Sequence, residues 1–200
     1  MKYRNYILVA AMMLVATVAA AAKTVSSTAL KLVADGQTVN TPAIQRAIDQ
    51  CCADGGGQVY FPRNHTFLAG PIELKSNVEL VLDATATLKA HPDESLYRLS
   101  AFGKNEGEGM LWLWAKNCRN LSFSGRGTID GNGVAFMGAE LSDSYELKPV
   151  TTFDPRPHVL TLYGCKQVNL RAITVREGAY WTVHFVGCDD VVVAGGHLPN

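Results

Sequence analysis

The sequence has no excess of charge of either sign, since its 200 residues include 18 lysines and arginines against 18 aspartates and glutamates. A chain without net charge lacks the broad basic surface typical of nucleic-acid binding, so we expect no nucleic-acid partner. Charged residues amount to 18%, whereas hydrophobic residues reach 48%. This balance excludes an intrinsically disordered chain and indicates a packed core.

The cysteines lack any recognisable metal or redox pattern. Cys51, Cys52, Cys118, Cys165 and Cys188 include no Cys-x-x-Cys pair, and no histidine lies near them with the spacing of a zinc site. Five is an odd number, and the density is too low for a disulfide scaffold. We therefore predict no metal site, and thiols that act as small buried apolar residues.

The chain has one long hydrophobic run, which lies at its start. Lys2 and Arg4 precede an uncharged, alanine-rich stretch that Lys23 ends. This run is shorter than the roughly 20 apolar residues of a membrane span, and its composition is typical of a secretory signal. We predict a signal peptide at residues 1–22, which leaves residues 23–200 secreted or periplasmic and without a membrane segment. An uncleaved anchor is the alternative.

A repeat organises most of the remaining sequence. Cys118, Cys165 and Cys188 each precede two polar residues and then apolar residues in alternation. The last two copies are 23 residues apart and the first two 47 apart, close to twice that distance. A version without cysteine begins at Ser76. Short strands at this period, with no helix between them, favour a solenoid of stacked β coils over a β-sandwich.

One helix is predicted before the coils. Thr41 is its expected N-cap and Pro42 suits its first position. An apolar stripe at helical spacing is formed by Ala43, Ile44, Ala47, Ile48 and Cys51. Further strands are predicted at residues 59–61, 72–74, 159–162, 172–175 and 181–185. We expect the helix to cover the open end of the solenoid, where core and strand edges would otherwise meet water.

Four segments carry a family resemblance. They are TPAIQRAIDQCCADGGGQVYFP, TFLAGPIELKSNVELVLDATATL, NLSFSGRGTIDGNG and REGAYWTVHFVGCDDVVVAGGHLPN. Together they resemble the N-terminal half of glycoside hydrolase family 28, the polygalacturonases and their relatives. The resemblance implies an all-β, right-handed parallel β-helix with an N-terminal capping helix. It also implies inverting hydrolysis of α-linked galacturonan or rhamnogalacturonan in pectin, a polysaccharide partner, and neither metal nor cofactor.

The catalytic set of the resembled family begins with an Asn-Thr-Asp motif, often preceded by proline. An Asp-Asp pair, a Gly-His-Gly and an Arg-Ile-Lys motif follow in later coils. Pro199–Asn200 resembles the opening of the first motif, which implies that no catalytic carboxylate lies within the chain. We therefore expect residues 23–200 to be a C-terminally truncated β-helix domain, inactive alone and monomeric at full length.

Three short motifs resemble catalytic ones but have simpler interpretations. The pair Asp189–Asp190 aligns with the polar turn before each repeated strand, so we predict an exposed turn. The segment ending in His197 lacks the second glycine of Gly-His-Gly and precedes the first motif. Asp130 lies between residues suited to tight turns and is predicted to form one.

The segment around Tyr180 and His184 is the stronger functional candidate. Strand alternation places His184 and Tyr180 on the face opposite Trp181. Subtracting 23 from Asn200 gives Glu177, so this strand is expected one coil before the Asn-Thr-Asp strand, on the same sheet. We predict that His184 and Tyr180 bind a sugar at an outer subsite. Ordinary packing is the alternative.

Two polar insertions, residues 103–110 and 137–157, interrupt the repeat. Loops at one coil edge often wall the groove of a solenoid, and Lys148 or Arg156 could attract the carboxylates of a polyuronate. Two other functions remain open. One is a β-helix polysaccharide lyase that uses calcium and a basic residue, and the other is a non-enzymatic β-helix shaft or adhesin.

Overall fold

The computed structural model describes residues 23–26, 30–100, 110–140, 147–149 and 156–199. The predicted signal peptide, Asn200 and residues 103–109 of the first insertion lie outside the described residues. Within the described segments, no helix is long and apolar enough to cross a membrane.

The described chain is built almost wholly from short strands. In chain order they are β1 (Lys23–Ser26), β2 (Asp35–Val39), β3 (Gly57–Phe61), β4 (Thr66–Ala69), β5 (Ile72–Glu73), β6 (Val78–Leu82), β7 (Thr87–Ala90), β8 (Leu111–Lys116), β9 (Arg119–Ser124), β10 (Thr128–Asp130), β11 (Met137–Glu140), β12 (Leu147–Pro149), β13 (His158–Tyr163), β14 (Lys166–Arg171), β15 (Thr174–Arg176), β16 (Val183–Val186) and β17 (Asp189–Ala194). Helix α1 (Thr41–Ala53) lies between β2 and β3. Two short 3-10 helices, Glu94–Leu96 and Gly133–Phe136, lie between strands.

Three parallel sheets form the faces of a solenoid. Sheet I has the order β1-β3-β6-β9-β14-β17, sheet II the order β15-β10-β7-β4-β2, and sheet III the order β16-β13-β8-β5. From β3 onward the chain visits the sheets in the repeating order I, II, III, whereas in the first coil α1 follows β2 in place of a sheet III strand. Each strand pairs with its equivalents in the neighbouring coils. The predicted parallel β-helix with a helix at its N-terminus is confirmed. Strands β11 and β12 form a separate antiparallel hairpin.

The core consists of apolar side chains stacked at the same position of successive coils. In sheet I one such stack is Val59, Leu80, Phe123 and Leu170. In sheet II it is Phe67, Leu88, Ile129 and Val175. All eight are at most 1% exposed and belong to one continuous cluster. Stacking is required because a single coil cannot bury its own inward face.

Helix α1 covers the N-terminal end of this core, as predicted. Its buried residues are Ile44, Ala47, Ile48 and Cys51, four of the five positions of the apolar stripe. The predicted N-cap was wrong, because Asn40 occupies that position and Thr41 is the first helical residue. The Thr41 hydroxyl instead accepts a hydrogen bond from the backbone N–H of Gly70, at 2.6 Å.

Two families of tight turns repeat from coil to coil. Turns from sheet I to sheet II place one residue in the left-handed region two positions before the next strand or bridge, at Asn64, Thr85, Arg126, Ala172 and Gly195. Turns from sheet III to sheet I do so at Asn117, Gly164 and Gly187. Three positions later a second left-handed residue lies inside β9, β14 and β17, at Asn120, Gln167 and Asp190, and Asn77 directly precedes β6. This geometry corrects one predicted strand, because Ala172 belongs to a turn and β15 begins at Thr174.

Candidate substrate-binding site

The connections from sheet II to sheet III are much less regular than the tight turns. They span residues 70–71, 91–110, 131–157 and 177–182. The last two lead into β13 and β16, neighbouring parallel strands in which Thr161 pairs with His184. Because parallel strands begin at the same edge of a sheet, side chains at the start of β13 and β16 lie side by side.

Five side chains meet at this edge and form what we call the aromatic cluster: Arg156, His158, Tyr180, Trp181 and His184. The His158 ring lies 5.2 Å from that of Tyr180 and 5.6 Å from that of His184, centroid to centroid. Trp181 stacks on His184 at 5.5 Å with an interplanar angle of 25°. The Arg156 guanidinium lies over the Tyr180 ring, 5.5 Å from its centroid, within cation–π range.

Exposure rises from the base of the cluster to its surface. His158 is fully buried, and its Nδ1 lies 3.2 Å from the Thr161 hydroxyl oxygen. His184 is half-buried, whereas Tyr180 and Trp181 are 37% and 53% exposed. An exposed tryptophan supported from below by packed rings is a preorganised apolar surface with polar groups at its border, which is typical of ligand sites.

The charge of the cluster comes mainly from Arg156. Burial lowers the pKa of His184 below its ordinary value, so this imidazole is neutral at pH 7. The guanidinium of Arg156 stays protonated at any physiological pH. The cluster therefore combines flat apolar rings with one fixed positive charge, and none of its five side chains is a carboxylate.

The structure brings the two predicted binding residues, Tyr180 and His184, to the same cluster. The prediction that Trp181 lies on the face opposite His184 was wrong, because Trp181 lies on the same side as His184 and stacks on it. Strand β16 begins only at Val183, so the two-residue alternation does not extend back to residues 180–182. Within the strand the alternation holds, since Val183 and Phe185 pack against the core.

His158 was missed in the sequence, although the repeat contained a signal for it. Leu160 pairs with Val183, so His158 corresponds to Trp181 one coil earlier, at the 23-residue spacing of the repeat. Arg156 was expected only as a charge in an insertion, and the structure places it directly over Tyr180. The side chain of Lys148 lies outside the described residues.

A second concave site lies beside the cluster, at the end of the sheet II strands. Its volume is about 280 Å³, and it is lined by Lys89, Asp130, Asn132, Val134, Arg176 and Glu177. Asp130 forms the predicted turn, accepting the Asn132 backbone N–H at 2.9 Å. Its other oxygen accepts hydrogen bonds from Nε and Nη2 of Arg176, at 3.1 and 2.9 Å. Asp130 thus links two neighbouring coils.

The other two motifs that resemble catalytic ones occupy structural positions. Asp189 and Asp190 are exposed at the start of β17, and Asp189 forms an ion pair with Lys166 of the neighbouring strand. Asp190 occupies the repeated left-handed position inside the strand. His197 is exposed and pairs with Thr174 in a bridge of parallel type. The two aspartates are exposed, as predicted, but they are the first residues of a strand and not part of a turn.

The stacked coils and the N-terminal helix define the class of this molecule as a parallel β-helix. Residues 51–198 match the model of the glycosyl hydrolases family 28, and the chain belongs to this family. A "Probable polygalacturonase" of Vitis vinifera is 27% identical over 179 residues, which cover 82% of this chain and 34% of that protein. The chain spans about a third of the length of the curated polygalacturonases it matches.

Two further similarities come from bacteria. The crystal structure of an exopolygalacturonase from Thermotoga maritima superposes with a TM-score of 0.72 at 22% identity, covering 88% of this chain and 47% of that one. At this identity the likeness concerns the fold. The plasmin and fibronectin-binding protein A of Streptococcus pneumoniae is 35% identical over 109 residues, which cover 51% of this chain and 14% of that protein.

Proposed function

We propose that this chain is part of a pectin-directed glycoside hydrolase, and that its aromatic cluster binds a galacturonate-type sugar at an outer subsite. Membership of glycosyl hydrolases family 28 supports the reaction class. The observation that carries the binding role is the exposed Trp181 stacked on half-buried His184, with Arg156 over Tyr180. The expected substrate is α-linked galacturonan or rhamnogalacturonan.

The chemistry of the cluster suits an acidic sugar. The apolar face of a pyranose ring can lie on an aromatic side chain, and tryptophan offers the largest such surface. A uronate also carries a carboxylate, for which arginine is the preferred planar partner. Trp181 and Arg156 together therefore favour a uronate over a neutral hexose.

We assign substrate binding, and not proton transfer, to the cluster. Inverting hydrolysis needs two carboxyl groups about 6.5–9.5 Å apart, one acid and one base. The cluster has none, and Asp130 is engaged by Arg176 and the Asn132 backbone. We further propose that Asn200, which lies outside the described residues, opens the first catalytic motif, and that residues 23–200 alone do not hydrolyse polygalacturonate.

Secretion and monomeric state are part of the same proposal. Residues 1–22 have the composition of a signal peptide, and a soluble extracellular or periplasmic enzyme could reach cell-wall pectin directly. We propose a monomer at full length, in which the concave site beside the cluster is open to a polymer.

The test is calorimetric titration of the chain with trigalacturonate and with a neutral galactose trisaccharide. We expect tighter binding of the acidic ligand, and a loss of about tenfold in its affinity for Trp181→Ala, which corresponds to one aromatic contact of about 1.4 kcal/mol. Arg156→Gln should remove most of the preference for the acidic ligand.

The matched control is Tyr163→Ala. Tyr163 is another exposed aromatic residue of sheet III, with the Lys116 ammonium 5.7 Å from its ring centroid, but it lies at the opposite end of the strands. Its loss should leave affinity unchanged. Equal affinity of wild type and Trp181→Ala for trigalacturonate would contradict the binding role.

A second candidate function is a non-enzymatic adhesin module. It is favoured by the 35% identity over 109 residues to the plasmin and fibronectin-binding protein A. Under this alternative, immobilised chain would capture fibronectin and would show no preference between acidic and neutral trisaccharides. Fibronectin binding that Trp181→Ala leaves intact, without trigalacturonate binding, would replace the hydrolase proposal by this one.

A further inference from the structure

Three cysteines occupy the same position in three successive coils. Cys118, Cys165 and Cys188 directly precede β9, β14 and β17, and we call them the cysteine ladder. Lys166 pairs with both Arg119 and Asp189, so the cysteines one residue earlier are also in register. None of the described cysteines forms a disulfide in this structure, which leaves thiols stacked at the spacing of adjacent β strands, about 4.8 Å.

The three thiols have different surroundings. Cys165 is fully buried between the other two, which are half-buried. One coil earlier the ladder position is held by Lys75, which forms an ion pair with Glu73 at 2.6 Å and whose positive charge also lowers the pKa of Cys118. A thiol beside a lysine and a hydroxyl is in the setting where cysteines become nucleophilic. Of the three ladder cysteines, Cys118 at the N-terminal end is therefore the expected nucleophile.

The effect of Cys118 and Cys165 on each other's pKa also favours Cys118 as the attacking thiol. The neighbouring Cys165 thiol lowers the pKa of Cys118, with smaller contributions from Ser76 and Lys75. The same contact raises the pKa of Cys165. Cys118 is thus the more readily ionised of the two thiols, and Cys165 is the thiol that can follow it.

We propose that Cys118 and Cys165 are a reactive dithiol pair that forms a disulfide between two coils of the β-helix. The oxidant is a small disulfide such as oxidised glutathione. The Cys118 thiolate attacks one of its sulfur atoms, forms a mixed disulfide and releases one glutathione thiolate. The Cys165 thiol then attacks Sγ of Cys118 and passes its proton to the departing glutathione sulfur, which leaves as the second thiol. The dithiol loses two electrons, and the oxidant is reduced to two thiols.

The geometry of the coils suits this bond. Adjacent parallel strands bring equivalent Cα atoms to about 4.8 Å, within the 4.4–6.8 Å range of disulfides. The bond would close the loop from Cys118 to Cys165, which contains the whole connection 131–157. It would therefore enclose the longest sheet II to sheet III connection in a covalently closed loop. This inference does not depend on the proposed function.

Peptide mapping of the purified chain tests the proposal. The chain is incubated with oxidised glutathione, blocked with an alkylating reagent and digested with trypsin without reduction. Lys116, Arg119, Lys166 and Arg176 separate the three ladder cysteines into different peptides. We expect a linked pair containing Cys118 and Cys165. We also expect a first step that is already fast below the ordinary pKa of a free thiol, because the pKa of Cys118 is lowered. The bond should give a reducible increase in the unfolding midpoint of roughly 5 °C or more.

Matched variants distinguish this bond from other thiol chemistry. Cys52→Ser removes a half-buried thiol outside the ladder and should leave the linked peptide unchanged. Cys118→Ser should abolish rapid reaction, whereas Cys165→Ser should stop at a glutathione adduct on Cys118. A Cys165–Cys188 link in the wild type, an adduct that never resolves, or no reaction in a folded chain would each overturn the proposal.

Discussion

The tight turns and the connections from sheet II to sheet III form two contrasting regions of the same coils. In the tight turns the left-handed residues recur at equivalent positions through three to five coils. Among the residues that the structure describes, the connections from sheet II to sheet III have left-handed residues at Asn132 and Glu177, which are not equivalent positions, and their lengths range from residues 70–71 to residues 131–157. The aromatic cluster and the pocket beside it both lie at these irregular connections.

The contrast shows where a solenoid can vary. A tight turn is fixed by its neighbours above and below, because its backbone groups bond to the adjacent coils, as the Gly164 N–H does to Val186. A long connection reaches beyond the stack and can carry side chains that serve no packing role. Regular turns therefore maintain the register, while irregular connections supply the exposed side chains of the aromatic cluster, Tyr180 and Trp181.

The largest effect is expected in the tight turns, at Gly125. Its φ is 104°, and a Cβ atom there would lie 2.3 Å from the backbone carbonyl oxygen of Leu82 in the neighbouring coil. Since a backbone atom cannot rotate aside, Gly125→Ala should force two coils apart and reduce the free energy of unfolding by about 4 kcal/mol. Urea unfolding followed by circular dichroism measures this loss.

Gly187→Ala is the matched control for backbone conformation without crowding. Gly187 is also left-handed, with φ 58°, but nothing lies within 4 Å of its Cβ position. We expect a loss of about 1 kcal/mol, the ordinary cost of a left-handed alanine. If the two variants were equally stable, the tight turns would owe their regularity to local conformation and not to contacts between coils.

The same contrast explains what could be predicted from the sequence. The repeated spacing of Cys118, Cys165 and Cys188 predicted the strands β9, β14 and β17, because a repeated turn requires a repeated residue pattern. The stripe containing Ile44 and Ile48 located α1 in the same way, since burial on one helix face requires that spacing. A periodic structure requires a periodic pattern of residues, and that pattern can be recognised in a single sequence.

The cluster was only partly predictable for the same reason. Tyr180 and His184 were identified, but Trp181 was assigned to the wrong face because residues 180–182 precede the strand and follow no alternation. Arg156 reaches Tyr180 from a separate connection. Contacts between two irregular segments depend on the path of each through space, which no local pattern encodes.

A smaller effect compares two ion pairs between coils. Asp130 and Arg176 pair beside the long connections, where the Asp130 side chain is 9% exposed, whereas Asp189 and Lys166 pair at a tight turn with Asp189 63% exposed. Asp130→Asn should cost about 1 kcal/mol, since Arg176 is itself partly solvated. Asp189→Asn should cost less than about 0.5 kcal/mol, because exposed pairs are screened by water and salt.

Thermal unfolding of both variants at low and high salt measures the difference. The Asp130 variant should stay less stable than wild type in high salt, whereas the small deficit of the Asp189 variant should vanish. The asparagine at position 130 can still accept the Asn132 N–H, so the turn is preserved. A larger loss for Asp189→Asn than for Asp130→Asn would indicate that the tight turns depend on their surface charges.

The smallest expected effect is the pH dependence that His184 contributes at the irregular edge. Burial lowers its pKa in the folded chain, while in the unfolded chain it titrates near its ordinary value of about 6.5. Between the two pKa values the unfolded state binds more protons. The stability that His184 contributes is therefore full above about pH 6.5 and falls as the pH drops toward the folded pKa.

His184→Gln should remove this part of the acid sensitivity. Unfolding midpoints of wild type and variant at pH 7.5 and 5.0 measure it, since carboxylate titration is common to both. An equal fall in the two proteins would mean that protonated His184 is accommodated beside Trp181 without cost, and that this edge is as open to water as a tight turn.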